Sequence, residues 1–71
     1  MKISARNQLQ GIVKSVNEGS VNTEVVIELG PGVEITSIIT KTSVADLGIA
    51  VGKQVYAVVK ASNVMLGVDH E

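Results

Sequence analysis

The residues best suited to chemistry in this 71-residue chain are two cations and a small set of hydroxyls. Ser4 and Arg6 are two positions apart, so in an extended first strand both side chains point to the same face. Lys60 is expected to end a strand, while Thr40 and Ser43 bracket the entry to a predicted helical turn. With the free backbone N–H groups of that turn, these residues offer many donors and few acceptors, which suits a compact dianion.

Catalytic machinery is not indicated by the sequence. Nucleophilic catalysis needs a positioned base beside a Ser, Thr or Cys, but the chain has no Cys and its single His, His70, lies next to the C-terminus. Glu24 and Glu28 fall on the polar face of a predicted strand, where solubilising charge is the simpler explanation. Neither glycine-rich phosphate motif is present. We therefore expect no enzymatic activity, no cofactor and no site for a bare metal cation.

Five strands and one helical turn are predicted to position the donors. The strands are expected at residues 3–16, 21–29, 33–41, 54–61 and 64–68. Segment 21–29 gives the clearest signal, because Val21, Thr23, Val25, Ile27 and Leu29 alternate with polar residues. Closing the sheet into a small OB-like barrel would protect its edges.

Turn residues separate these strands. Residues 17–20 and Gly30-Pro31-Gly32 predict turns, and Gly11 predicts a kink or bulge in the first strand. Ser43 and Asp46 fit a capping pattern, and Gly48 could end the turn in a left-handed conformation. Only one helical turn is expected there.

The composition predicts an all-β domain that needs partners. Thirteen Val and seven Ile favour strands, while the absence of Phe and Trp leaves a thin core. A single small domain, here 1–71, rarely gains more than roughly 3–5 kcal/mol from its own core. Without Cys there are no disulfides or thiolate metal sites, so oligomerisation is the expected source of further stability.

The charge balance argues against two other partners. A formal net charge of −1 lacks the basic footprint of a nucleic-acid binder. No apolar run reaches the roughly 20 residues that a membrane span needs, and no export leader is recognisable. We therefore expect no nucleic acid, no membrane and a cytoplasmic location.

Short motifs along the chain resemble those of the molbindin (Mop) family. The matching segments are Met1 to Leu9 with Gly11 and Val13, Gly19 to Asn22 with Glu24-Val25, Ile39-Thr40 with Ser43 and Leu47, and Gly52 through Val55 to Lys60-Ala61. They span residues 1–66 in the family's order and spacing. The resemblance implies a single Mop domain over 1–71, an OB-like five-stranded barrel whose first strand is exchanged between subunits. It also implies a hexamer built as a trimer of dimers.

The resemblance further implies a ligand and its site. Molbindins hold molybdate or tungstate at subunit interfaces, which here would serve intracellular storage or homeostasis. The implied oxyanion-binding residues are Ser4, Ala5 and Arg6 of one subunit with Thr40, Ser43, Lys60 and Ala61 of its neighbour. A second site is implied at Gly19, Ser20, Val21 and Asn22. Ala61 departs from the related regulator, which has Ser there, so this contact would come from the backbone alone.

Two alternative functions are left open. A nucleic-acid-binding OB-type module would need aromatic stacking platforms and a basic groove, yet Tyr56 is the only aromatic residue. A structural oligomerisation domain without ligand would keep the barrel but would not need Arg6 and Lys60.

Overall fold

The computed structural model describes residues 1–70 and contains one four-stranded antiparallel sheet. Its elements are β1 (Asn7–Glu18), β2 (Asn22–Gly30), β3 (Val33–Thr40), α1 (Lys41–Leu47), β4 (Gln54–Val59) and a 3₁₀ helix at Ala61–Asn63. The strand order is β3-β2-β1-β4, so β3 and β4 are the edges. Residues of both edges line one common cleft, which shows that the sheet curls toward a barrel.

The core lies inside the curl and is small. Its buried apolar members are Val13, Val25, Ile27 and Ala57. The predicted alternation of β2 is confirmed for Thr23 through Leu29, because every second side chain there turns inward. Val21 is an exception, since it precedes β2 and is 69% exposed.

The bounds of two predicted strands were wrong, and a third predicted strand is not formed. β1 begins at Asn7 and not at residue 3, and β4 ends at Val59 and not at residue 61. In the described chain, residues 64–68 form no strand, so the sheet has four strands and not five. An extended segment becomes a strand only when another strand offers it hydrogen bonds, and one chain supplies no neighbour for these segments.

The helix is longer than one turn and is capped differently from the prediction. α1 has seven residues, and Thr40 rather than Ser43 is its N-cap, with Thr40 Oγ1 accepting a hydrogen bond from the Ser43 backbone N–H. Thr40 can do this because it keeps extended backbone angles at the end of β3. Gly48 ends the helix at φ 63°, as predicted. Lys53 Nζ donates to the Leu47 carbonyl and so satisfies a free acceptor at the helix end.

The irregularity in β1 is not at Gly11, contrary to the sequence prediction. The register with β2 shifts between Val13 and Ser15. Lys14, at this bulge, forms an ion pair with Glu34 of β3. The hydrogen bond and negative charge of Glu34 raise the pKa of Lys14 above its ordinary value. This pair lies on the solvated outer face of the sheet.

Gly11 allows β1 and β2 to approach closely. A Cβ atom at Gly11 would lie 2.6 Å from Ile27 Cγ2 and 2.7 Å from the Glu28 carbonyl oxygen. Both distances are shorter than any normal van der Waals contact, and one neighbour is backbone. The glycine is therefore required by space rather than by an unusual dihedral angle.

Thr23 places a hydroxyl in the core. Its side chain is 0% exposed, and Oγ1 has no hydrogen-bond partner among the described residues. Because an unpaired buried hydroxyl costs about 1–3 kcal/mol, we expect Thr23→Val to raise the free energy of unfolding by about 1 kcal/mol. Urea denaturation at fixed protein concentration measures this. Thr36→Val on the exposed face of β3 is the control, and a destabilised Thr23→Val protein would show that the hydroxyl has a bonding partner.

Within residues 1–70, no helix combines the length and apolar character that crossing a membrane requires.

Candidate functional site

The two predicted cations come together at one end of the sheet. Asn7 pairs with Val59 in the antiparallel register of β1 and β4. One residue further out, Arg6 directly precedes β1 and Lys60 directly follows β4. Ala61 comes next as the first residue of the 3₁₀ helix. We call Ser4, Ala5, Arg6, Lys60 and Ala61 the basic cluster.

The basic cluster is open to solvent and its charges are not neutralised. Arg6, Lys60 and Ser4 are exposed, and Ala5 is half-buried. Ser4 and Arg6 lie at bends before β1, so the expectation that a strand sets both on one face was wrong. The ion pair found in the described residues joins Lys14 to Glu34, and no carboxylate among residues 1–70 lies within 4.0 Å of either clustered cation. Two like charges at one strand end repel each other unless an anion lies between them.

The hydroxyl residues lie at the other end of the sheet. Thr40, the last residue of β3, pairs with Asn22, the first residue of β2. The loop before Asn22 is closed by a hydrogen bond from the Gly19 N–H to the Asn22 carbonyl, 2.8 Å, and the Lys41 N–H donates to the Val21 carbonyl at 3.2 Å. The residues assigned from the resemblance to a second site therefore adjoin the helix start. We call Thr40 and Ser43, with Gly19, Ser20, Val21 and Asn22, the hydroxyl cluster.

The hydrogen bonds of Thr40 leave the Ser43 hydroxyl proton available. Thr40 Oγ1 accepts from the Ser43 N–H at 3.1 Å and donates to Ser43 Oγ at 3.0 Å. The Thr40 hydroxyl is thus engaged as both acceptor and donor. Ser43, which is half-buried, accepts from Thr40 and keeps its own O–H for another partner.

The two clusters are far apart within one chain. The basic cluster lies beside the first residue of β1, and the hydroxyl cluster lies beyond its last residue, where Glu18 pairs with Thr23. β1 has 12 residues, which at about 3.3 Å per residue span roughly 36 Å when extended. Because β3 and β4 face each other across a cleft, the separation through space is shorter than this length, while the register keeps Arg6 and Lys60 at the start of β1 and Thr40 beyond its end. The resemblance implied that Lys60 and Ala61 act with Thr40 and Ser43, whereas within this chain the register of β1 and β4 brings them beside Arg6.

One cation was missed by the sequence analysis. Lys41, the first residue of α1, follows Thr40 directly and belongs to the same end of the sheet as the hydroxyl cluster. Its place between Thr40 and Ser43 in the sequence could have indicated that it lies at the same end of the sheet.

In the part of the chain that the structure describes, no group of three His, Cys, Asp or Glu side chains could hold a metal ion.

Comparison with known proteins places the chain in a family. The model of the TOBE domain matches residues 3–66. A probable molybdenum-pterin-binding protein of Haemophilus influenzae is 49% identical over 69 residues, which cover 97% of this chain and 100% of the relative.

Solved structures agree in fold. A molybdate-binding protein from Sporomusa ovata has a TM-score of 0.88 and 40% identity, covering 96% of this chain and 100% of the other. ModG, named as a cytoplasmic molybdate-binding protein and solved with molybdate bound, has a TM-score of 0.90 and 52% identity; the match covers 97% of this chain and 49% of ModG. On the match of the domain model and on these identities, the chain belongs to the TOBE-domain family and, within it, to the Mop (molbindin) proteins.

Proposed function

We propose that this protein binds molybdate or tungstate in the cytoplasm, for storage or homeostasis, at interfaces between its copies. The observation that carries the proposal is the pair of unneutralised cations, Arg6 and Lys60, at one end of the sheet. The choice of molybdate as ligand is supported by relatives of this chain, since the Sporomusa ovata protein and ModG are named as molybdate-binding proteins.

The chemistry of the donors suits a tetrahedral dianion. Two fixed positive charges balance two negative ones, which matters because an unpaired ion enclosed at an interface is costly. Ser4 and Ser43 offer hydroxyls, and the backbone N–H groups of Ala5 and Ala61 can only donate. Phosphate near neutral pH carries at least one proton, and the two cations and the backbone N–H groups offer no acceptor for it. Sulfate has no such proton and is rejected by its smaller size.

The separation of the clusters along β1 supports a site that spans two chains. An anion held by Arg6 and Lys60 of one copy cannot also contact Thr40 and Ser43 of that copy, because these lie at the opposite end of β1. We therefore assign the basic cluster to one subunit and Thr40 with Ser43 to its neighbour. Residues 19–22 remain the proposed second site, beside the same neighbour's helix start.

The surface of the single chain supports assembly. Its accessible area is 5595 Å², whereas a monomer of 7.4 kDa is expected to expose about 4,200 Å². This surplus is in the range that one protein contributes to a stable interface. We propose that copies close the sheet into a five-stranded OB-like barrel with an exchanged strand, and that dimers assemble into a hexamer.

The alternatives receive less support. A nucleic-acid-binding module needs several aromatic platforms on a basic surface, but Tyr56 on edge strand β4 is the only aromatic residue and the net charge is −1. A ligand-free oligomerisation domain would gain nothing from two adjacent cations, which weaken an interface unless an anion is present.

Calorimetry tests the ligand directly. We expect molybdate and tungstate to release heat on binding with a fixed stoichiometry per chain, and we expect excess sulfate not to compete. Phosphate titrated from pH 6 to pH 8 is a second competitor whose protonation changes across that range. If an oligonucleotide binds while neither molybdate nor tungstate gives heat, the oxyanion proposal is wrong and the OB-module alternative gains support.

A further inference from the structure

Three residues of the basic cluster, 4–6, lie on a segment that the sheet does not hold. The register of β1 with β4 starts only at Asn7. In the described chain, residues 1–6 take part in no backbone–backbone hydrogen bond outside the helices and strands. A side-chain hydrogen bond from Gln8 Nε2 to the Ala5 carbonyl oxygen, 3.2 Å, ties the segment only to the start of β1. Backbone pairing therefore does not fix where these donors lie.

Apolar contacts give the segment a second attachment. Met1 and Ile3 line the apolar groove inside the curl, which has a volume of about 480 Å³. Ile3 is 49% exposed and Met1 69% exposed, so Ile3 is the more deeply placed of the two. Removing apolar surface from water is favourable, and it holds the segment in the absence of backbone hydrogen bonds. The groove is also lined by residues of all four strands and of α1, among them Val13, Ile27, Ile39, Leu47 and Val58.

Ile3 couples this attachment to the donors because of its place in the chain. It directly precedes Ser4, and all three donor residues follow within three positions. Since consecutive Cα atoms are held about 3.8 Å apart, a shift of Ile3 out of the groove must displace Ser4 and Ala5 as well. Met1 is more exposed and two residues further from Ser4, so it constrains the donors less directly.

We propose that Ile3 is a positioning residue for the oxyanion site: its side chain, docked in the groove, holds residues 4–6 beside Lys60. The inference rests on the proposed function, since it concerns the same site. Only chains with the segment docked present the complete basic cluster, so the apparent affinity falls with the docked fraction. Because coupling is reciprocal, an anion bound at the cluster must in turn favour the docked segment.

Calorimetry of Ile3→Ser tests the positioning role. Loss of an apolar side chain that is half covered should lower the affinity for molybdate about 10-fold. The urea midpoint of unfolding should stay unchanged, because Ile3 lies outside every strand and helix. Ile3→Val keeps a branched apolar side chain and should restore most of the affinity. Ile12→Ser is the matched control: Ile12 is 45% exposed but lies on the outer face of β1, so its loss should leave the affinity unchanged.

Proteolysis measures the docking of the segment without an anion. Trypsin cleaves after Lys2, and mass spectrometry can follow the bond between Lys2 and Ile3 alone. Because cleavage follows the population of the open form, Ile3→Ser should be cut there several-fold faster than the wild-type protein. Saturating molybdate should slow the cut in the wild-type protein, as the reciprocal coupling requires. Peptides of residues 1–9 with each sequence calibrate the intrinsic rate, with and without molybdate.

The outcomes separate a positioning role from a structural one. Wild-type binding of molybdate that Ile3→Ser leaves unchanged overturns the inference, and so does equal cleavage after Lys2 in the two proteins. A fall in the urea midpoint that accompanies the loss of affinity, or an equal loss in Ile12→Ser, assigns the effect to general stability and also overturns it. If the wild-type protein gives no heat with molybdate or tungstate, the proposed function itself fails, whereas cleavage without an anion still shows whether Ile3 holds the segment.

Discussion

We expect Arg6→Ala to lower the affinity for molybdate by about 100-fold in calorimetry, because the proposed interface site loses one of the two cations that balance the dianion. The protein should still fold, since Arg6 is exposed and precedes β1. Lys14→Ala is the matched control: it removes one positive charge from the outer face of the sheet, where Lys14 pairs with Glu34. An equal loss for Lys14→Ala would mean that only the overall charge matters and that Arg6 has no specific role.

Mixtures of variants then decide which chain supplies which residues. Chains with Arg6→Ala keep an intact hydroxyl cluster, and chains with Ser43→Ala keep an intact basic cluster. Refolding the two together should therefore restore part of the binding that each lacks alone. Arg6→Ala mixed with Lys60→Ala should restore none, because both changes damage the same half of the site. Restored binding in that second mixture would place Lys60 with Thr40 and Ser43, as the family resemblance implied, and would contradict the assignment from the sheet.

Gly11→Ala should lower the free energy of unfolding by about 3 kcal/mol, toward the upper end of what overpacking a core costs. The added methyl would meet Ile27 Cγ2 at 2.6 Å and the Glu28 carbonyl oxygen at 2.7 Å. The oxygen belongs to the paired backbone of β2, so relief requires the two central strands to separate. Because a domain of this size has only a few kcal/mol of stability, the variant should be largely unfolded at low denaturant concentration. Circular dichroism during urea titration measures the change.

Gly30→Ala provides the control for the glycine effect. Nothing lies within 4 Å of a Cβ at Gly30, and its φ is not positive. Gly30→Ala should therefore change the free energy of unfolding by less than about 0.5 kcal/mol. If Gly11→Ala is equally mild, the strands can adjust, and the close approach of β1 and β2 is not a constraint on the sequence.

Much of the local structure could be predicted because it depends on short-range rules. Alternation in β2 follows from one buried face, and Thr23, Val25 and Ile27 are indeed buried. Gly48 was predicted to close the helix and does so with a left-handed dihedral. The helix start was misplaced by three residues, because both Thr40 and Ser43 can cap a helix. The choice between them depends on where β3 ends, which no local pattern reports.

The members of the candidate site were proposed from the sequence, whereas which of them are neighbours depends on the tertiary structure. Arg6, Lys60, Thr40 and Ser43 were selected from residue type and from a family resemblance that the comparisons confirm. Which of them are neighbours depends on strand register, through the pairing of Asn7 with Val59 and of Asn22 with Thr40. These pairings join residues that are about 52 and 18 positions apart in sequence, so no local spacing encodes them.

Residue types and their order along the chain were enough to predict a β domain with a thin core, a candidate set of oxyanion donors and the family. The tertiary structure decided that the basic and hydroxyl clusters lie at opposite ends of β1, that Gly11 is fixed by a close approach, and that residues 64–68 form no strand in a single chain. The physical reason is the same in each case. Side-chain type and alternation act within a few residues, whereas register, curl and the pairing of an edge depend on which distant strand, or which other chain, supplies the hydrogen bonds.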